Sequence, residues 1–231
     1  MQNKKNLFFI NFFFSVFLVS LKGYSEPSIK WSELRLFYGN SRFSTDPTAL
    51  NNLTAPDNVA PFNNPTSLGF EADGQIQPWF KVGTKFKGIW NAVSSPNPSS
   101  TASLAVQQTE AGLLARFPIV DKEWILLDAA LELGLANTKI DVQTVNSGKG
   151  TFKKDAGFYQ RAGASLGLGS SSVKFYLEVG QEWNNLTSLS YQGTLATSIS
   201  SIDFSGPYFS LGLIISGIPS WIKPGSVTVG K

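Results

Sequence analysis

Residues 124 to 142 read Trp-Ile-Leu-Leu-Asp-Ala-Ala-Leu-Glu-Leu-Gly-Leu-Ala-Asn-Thr-Lys-Ile-Asp-Val. Successive side chains of a strand point to opposite faces. Leu127, Ala129, Leu131, Leu133 and Leu135 therefore make one apolar row, backed by Asp128, Ala130, Glu132 and Gly134. This alternation with a period of two reads as a strand. Beyond Asn137 the segment turns polar, while Ile140 and Val142 fall on the row that carried the acids. The sheet is thus expected to project beyond whatever covers the leucine row.

The same split recurs along the chain. Phe80, Val82, Thr84, Phe86, Gly88 and Trp90 back onto Lys81, Gly83, Lys85, Lys87 and Ile89. Val173, Phe175, Leu177 and Val179 back onto Lys174, Tyr176, Glu178 and Gly180, and Phe209, Leu211, Leu213 and Ile215 onto Ser210, Gly212, Ile214 and Ser216. Bounded by turn-forming residues, the strand segments fall at about 31–43, 67–75, 79–93, 105–118, 124–142, 156–169, 173–190 and 206–217. Connections after every second strand are short. The others, 44–66, 94–104, 144–155 and 191–205, are long, and the first is rich in proline and asparagine. Short turns on one side and long loops on the other mark outer-membrane barrels.

Alternation alone does not say which face is inside. Most strand glycines, among them Gly39, Gly69, Gly112, Gly134, Gly163, Gly180 and Gly212, lie on the charged face. The interior of an eight-stranded barrel is only just wide enough for side chains, so missing side chains belong there. The apolar face has no charge in its central stretch, as a lipid-facing surface requires, since a mid-depth Lys or Arg costs about 2–4 kcal/mol. The expected fold is all-β: an eight-stranded antiparallel transmembrane up-and-down β-barrel. Its interior charges are then Glu33, Arg35, Glu71, Asp73, Lys81, Lys85, Lys87, Glu110, Arg116, Asp128, Glu132, Arg161, Lys174, Glu178 and Glu182. Near-balance of sign suggests a network of ion pairs filling the bore. Trp31, Trp79, Trp90, Trp124 and Trp183 fall near strand ends, where membrane-interface aromatics sit, with Trp221 just past the last strand.

The N-terminus differs in kind. Lys4 and Lys5 precede an apolar run from Leu7 to Leu21 containing six phenylalanines, and Gly23 and Ser25 suit cleavage after Ser25. Residues 1–25 are expected to be a signal peptide and 26–231 the barrel domain. Cleavage removes three lysines and no acid, taking the formal charge from +3 to 0. No concentrated basic face argues for nucleic acid.

With no cysteine and no histidine, thiolate chemistry, imidazole metal ligands and the usual general base are absent. Glu178 and Glu182 share a strand face but stand roughly 13 Å apart, better suited to packing than to catalysis. Gly148-Lys149-Gly150-Thr151 lacks the first glycine and the final hydroxyl of a phosphate-binding loop. No enzyme, cofactor or metal site is expected. Lys149, Lys153 and Lys154, placed in an outer loop, could touch lipopolysaccharide phosphates.

With the terminal segment Tyr208-Phe209-Ser210-Leu211-Gly212-Leu213, the mature chain resembles the small bacterial outer-membrane β-barrels, a superfamily that includes the transmembrane domain of outer-membrane protein A. It departs from their pattern in continuing from Pro219 to Lys231 instead of finishing on an aromatic residue. The resemblance implies residence in the cell outer membrane, with membrane lipid and lipopolysaccharide as partners. A structural or adhesion-like surface role, with an extracellular protein as partner through the loops, is the expected function. A narrow channel for small solutes is the alternative, since Leu114, Ile140, Val142 and Ile214 also face inward.

Overall fold

The computed structural model describes residues 30–41, 48–61, 65–146, 148–195 and 199–217. Eight antiparallel strands close on themselves: β1 (Lys30–Ser41), β2 (Thr66–Gln77), β3 (Phe80–Ser94), β4 (Ser103–Asp121), β5 (Ile125–Gln143), β6 (Lys149–Gly169), β7 (Val173–Trp183) and, after three short outer strands, β11 (Gly206–Ser216). Each pairs with its neighbours in the chain, and β1 pairs with β11 from Glu33–Ser216 to Ser41–Tyr208, which removes both sheet edges. The turns at 78–79, 122–124 and 170–172 lie at one end, as the alternation of loop length requires.

The outer connections differ from their sequence reading. The expected loop 144–155 is a tight turn, with Thr144 donating from its amide to the Gly148 carbonyl at 2.9 Å, because β6 begins at Lys149 and not near 156. Gly148 closes that turn, and Lys149, Gly150, Thr151, Lys153 and Lys154 belong to the strand. A bulge hid this. Between Ala136 and Thr138 of β5 the partner residue jumps from Gly157 to Lys154, and Ala156 takes φ 55°, its amide held by Asn137 Oδ1 at 2.9 Å. Odd-numbered residues such as Tyr159 and Arg161 face inward below the bulge, and even-numbered Phe152 and Gly150 above it.

Strand β7 stops at Trp183, short of the expected Ser190. The Asn184 amide leaves the ladder for Ser205 Oγ at 3.0 Å, and the chain folds into β8 (Asn185–Thr187), β9 (Ser190–Gly193) and β10 (Ser201–Asp203). β8 pairs with β10, and β9 lies against the upper part of β6. The proline-rich connection carries a short helix, α1 (Thr48–Thr54), and a 3₁₀ turn, Ala55–Asp57.

Above the closed barrel these pieces share one apolar core. Leu104, Val106, Ile140, Val142 and Phe152 of the long strands pack with Leu50, Val59, Leu186, Leu195, Ile202 and Phe204. The Val145 amide donates to Asp57 Oδ2 at 3.0 Å, pinning the first outer connection to the β5–β6 turn. The cap is therefore an ordered tier and not a set of free loops. The proposed signal peptide, Pro219–Lys231 and Trp221 lie outside the described residues, as does the Trp31 side chain.

Candidate functional site: the charged bore

On the outside, Leu36, Leu68, Phe70, Phe86, Leu113, Leu133, Leu135, Phe158, Phe175, Leu211 and other large apolar side chains stand exposed around the wall. On β5 the outward apolar row from Leu127 to Leu135 is about 27 Å along the strand, which at the usual tilt spans about 20 Å of an apolar band about 25 Å tall. Water cannot be the solvent of such a wall. Trp79 and Trp124 sit in the short turns, Trp90 near the end of β3 and Trp183 at the end of β7, all exposed. That places them at the two rims, where indoles suit the headgroup region.

The interior is the opposite. All fifteen candidate lumen charges are buried, and Arg35, Arg116, Glu71, Asp73 and Asp128 are wholly so. Their neighbours follow depth. Near the short-turn end, Lys81 Nζ meets Glu33 at 2.6 Å and Asp121 at 3.6 Å. Arg35 reaches Glu33 at 3.0 Å and Asp128 at 2.7 Å, with Glu71 and Asp73 beside its Nε at 3.6 and 3.9 Å. At mid-depth Arg116 donates to both oxygens of Glu71, to Asp128 at 2.8 Å and to Glu178 at 2.7 Å. Lys85 lies 3.3 Å from both Glu132 and Glu178. Higher still, Arg161 contacts Glu110, Glu182 at 2.7 Å and Glu132 at 3.3 Å, and Lys87 joins Glu110 at 3.1 Å. Lys174 stands apart, with no ion-pair partner among the described residues, as the second residue of β7.

Acids exceed cations in this network, and neutral donors make up the difference. Tyr159 donates to Glu132, Tyr208 to Glu178 at 3.1 Å, Ser165 to Asp128 at 2.7 Å, Gln108 to Glu110 at 3.0 Å and Asn184 to Glu182 at 3.2 Å. Sequence reasoning omitted these residues because they carry no charge, although their place on the inward register was readable. The tyrosines also explain the glycines. The Tyr159 hydroxyl lies where side chains at Gly112 and Gly134 would stand, and the Tyr208 ring fills the same space at Gly163 and Gly180. Arg161 stacks over both rings, 4.9 Å from the Tyr159 centroid and 5.6 Å from that of Tyr208.

A bore so filled has little chemistry left to offer. Glu178 and Glu182, the carboxylates sharing one face, each accept from an arginine. Among the described residues no group of His, Cys, Asp or Glu could hold a metal ion, and no helix is long and apolar enough to cross a membrane. The strands do the crossing. An even-numbered closed antiparallel barrel, apolar outside and charged inside, is the construction of bacterial outer-membrane proteins. This chain is an outer-membrane β-barrel.

No family model matches the chain, and no curated protein matches it in sequence. Solved structures do match in shape. The attachment invasion locus protein Ail of Yersinia pestis covers 81% of this chain with 99% of its own, at 12% identity and a TM-score of 0.49. The same protein bound to the heparin analogue sucrose octasulfate gives 11% and 0.48. CarO of Acinetobacter baumannii covers 80% of this chain with 97% of its own, at 11% identity and a TM-score of 0.41.

Proposed function

We propose that this protein is a non-conducting outer-membrane barrel with a structural and surface-interaction role. Its belt anchors it, and its ordered outer tier presents a fixed polar surface to an extracellular protein. What supports this reading is the filling of the interior at two levels. Cross-linked charges occupy the depth of the belt, and the apolar core centred on Ile140 and Phe152 closes the space above them. Burial of ions in mutual contact rigidifies such an interior, because withdrawing any one partner strands the others. We assign it no reaction, since the carboxylates nearest to an acid–base arrangement are already committed to guanidinium groups.

Refolded mature protein in planar lipid bilayers tests the closure. No discrete conductance steps are expected across moderate voltages. Steady ion conduction by the folded chain would overturn the reading in favour of a channel. The surface role is tested by replacing residues 184–205 with a short turn, which is expected to abolish adhesion or envelope phenotypes while the barrel remains folded. Unchanged phenotypes would count against it.

A further inference from the structure

We propose that the outward wall of the β5–β6 hairpin, just beyond the apolar belt, binds the phosphorylated headgroup of an outer-leaflet lipid. The inference rests on the membrane-barrel reading and its orientation, with the short turns on the inner side. Three observations carry it.

The first is the distribution of charge. Among the described side chains, the cations beyond the outer edge of the belt are Lys139, Lys149, Lys153 and Lys154, and all belong to this hairpin. The remaining wall of the outer tier carries none among the described side chains. Asp141 and Asp155 are the acids of the same segment, so the hairpin keeps a net positive charge.

The second is register. Lys139 and Lys153 are direct cross-strand partners and both side chains are exposed. Like charges directly opposite one another destabilise a sheet, and an anion between them removes that penalty. Asp141 accepts from the Lys139 amine at 2.6 Å and from the Thr151 hydroxyl at 2.7 Å. Lys139 is thereby steered, while Lys153 has no ion-pair partner among the described residues. Burial works against the charge of Asp141, but those hydrogen bonds outweigh it and hold its carboxyl below the ordinary range.

The third is depth. Trp90, Gln107, Lys139 and Lys153 follow one another across neighbouring strands in a single row of the sheet. A groove of about 440 Å³ runs there, lined among others by Trp90, Thr109, Asn137, Lys139, Lys153 and Asp155, two lysines to one acid. An indole favours the boundary between hydrocarbon and headgroups, and because the strands of a barrel are tilted the row climbs from Trp90 towards Lys153, which sets the ammoniums on the outer side of that boundary. A phosphate held by both lysines would let its acyl chains run down the wall past Leu135 and Leu133. Attraction of this kind is worth about 1 kcal/mol per lysine near an anionic surface, or about fivefold in affinity.

The test uses refolded residues 26–231 in detergent, titrated with diphosphoryl lipid A and followed by native mass spectrometry. One saturable adduct is expected. Lys153→Gln should weaken it about fivefold and the Lys139→Gln, Lys153→Gln double variant about twenty-five-fold, whereas Lys149→Gln, farther from the belt, should leave it unchanged. Lipid A stripped of phosphate should not bind. Equal binding by the double variant, by dephosphorylated lipid A or by phosphatidylglycerol would overturn the proposal. Heat-modifiable migration is read on every sample: folded barrel without lipid A binding sinks this inference alone, while failure to fold in detergent sinks the membrane reading on which it rests.

Discussion

Two halves of the same strand teach the rule of this molecule. From Leu127 to Leu135, β5 turns leucine and alanine outward and Asp128 and Glu132 inward; from Asn137 to Gln143 it turns Asn137, Lys139 and Asp141 outward and Ile140 and Val142 inward. β4 inverts likewise, with Arg116 and Glu110 buried lower down and Val106 and Leu104 higher up. Neither face changes its direction. What changes is the solvent outside, from lipid to water, and the interior changes to complement it. In lipid the outward side chains make the apolar contacts, and the bore holds a network whose polar groups satisfy one another. In water the apolar side chains must be inside, and loops fold over to complete the core.

The comparison breaks most sharply at Arg116. It is wholly buried and serves three carboxylates, so Arg116→Met should cost about 3–5 kcal/mol through the acids it strands. Urea unfolding of the refolded protein in detergent or lipid vesicles measures this. Next is the outward row. Leu131→Lys, at mid-belt, should cost about 2–4 kcal/mol in vesicles, whereas Gln107→Lys on the outer tier should stay within about 0.5 kcal/mol of wild type. Equal costs at the two positions would abolish the distinction between the halves. In the upper core, Ile140→Val should remove about 0.5–1.5 kcal/mol. Hydrogen exchange should rise in the outer tier while the belt strands stay protected.

The smallest effect is at Asp141. Its folded pKa lies below the ordinary 3.8, so its contribution to the hairpin is complete above that value and fades as pH falls below it. Relative to the intrinsic exchange rate at each pH, weaker amide protection at the β5–β6 tip is expected at pH 3 than at pH 5, with the Asp141→Asn variant showing a smaller difference. The half-exposed pair with Lys139 keeps this contribution modest.

The belt was legible because lipid allows few exceptions: from Leu127 to Leu135 no charge interrupts the outward row, and the inward charges could be named from parity alone. The outer tier was not. Asp155 and Ala156 break the alternation of β6 at the bulge, so the strand above them reads as a loop. Asn184 to Thr187 keeps the alternation, with Leu186 inward, so the departure of the chain at Trp183 leaves no mark in the pattern before Ser188. Parity also could not tell which carboxylate each arginine meets, because strand tilt brings together residues far apart in sequence, such as Arg116 and Glu178. Nor did it flag the isolation of Lys174 or the fit of Tyr159 over its two glycines.

The most direct test of the inversion and the closed bore is a single-cysteine scan along β5. The natural chain has no cysteine to interfere. Variants at Leu131, Leu135, Lys139 and Gln143 report the outward face, and Ala130, Ala136 and Ile140 the inward one, each probed in vesicles with a water-soluble maleimide. Labelling should appear on the outward face only from Lys139 onward and should be absent at all three inward positions. Ready labelling of Ala130→Cys or Ala136→Cys would mean a water-filled bore, and labelling of Leu131→Cys would mean that the leucine row does not face lipid.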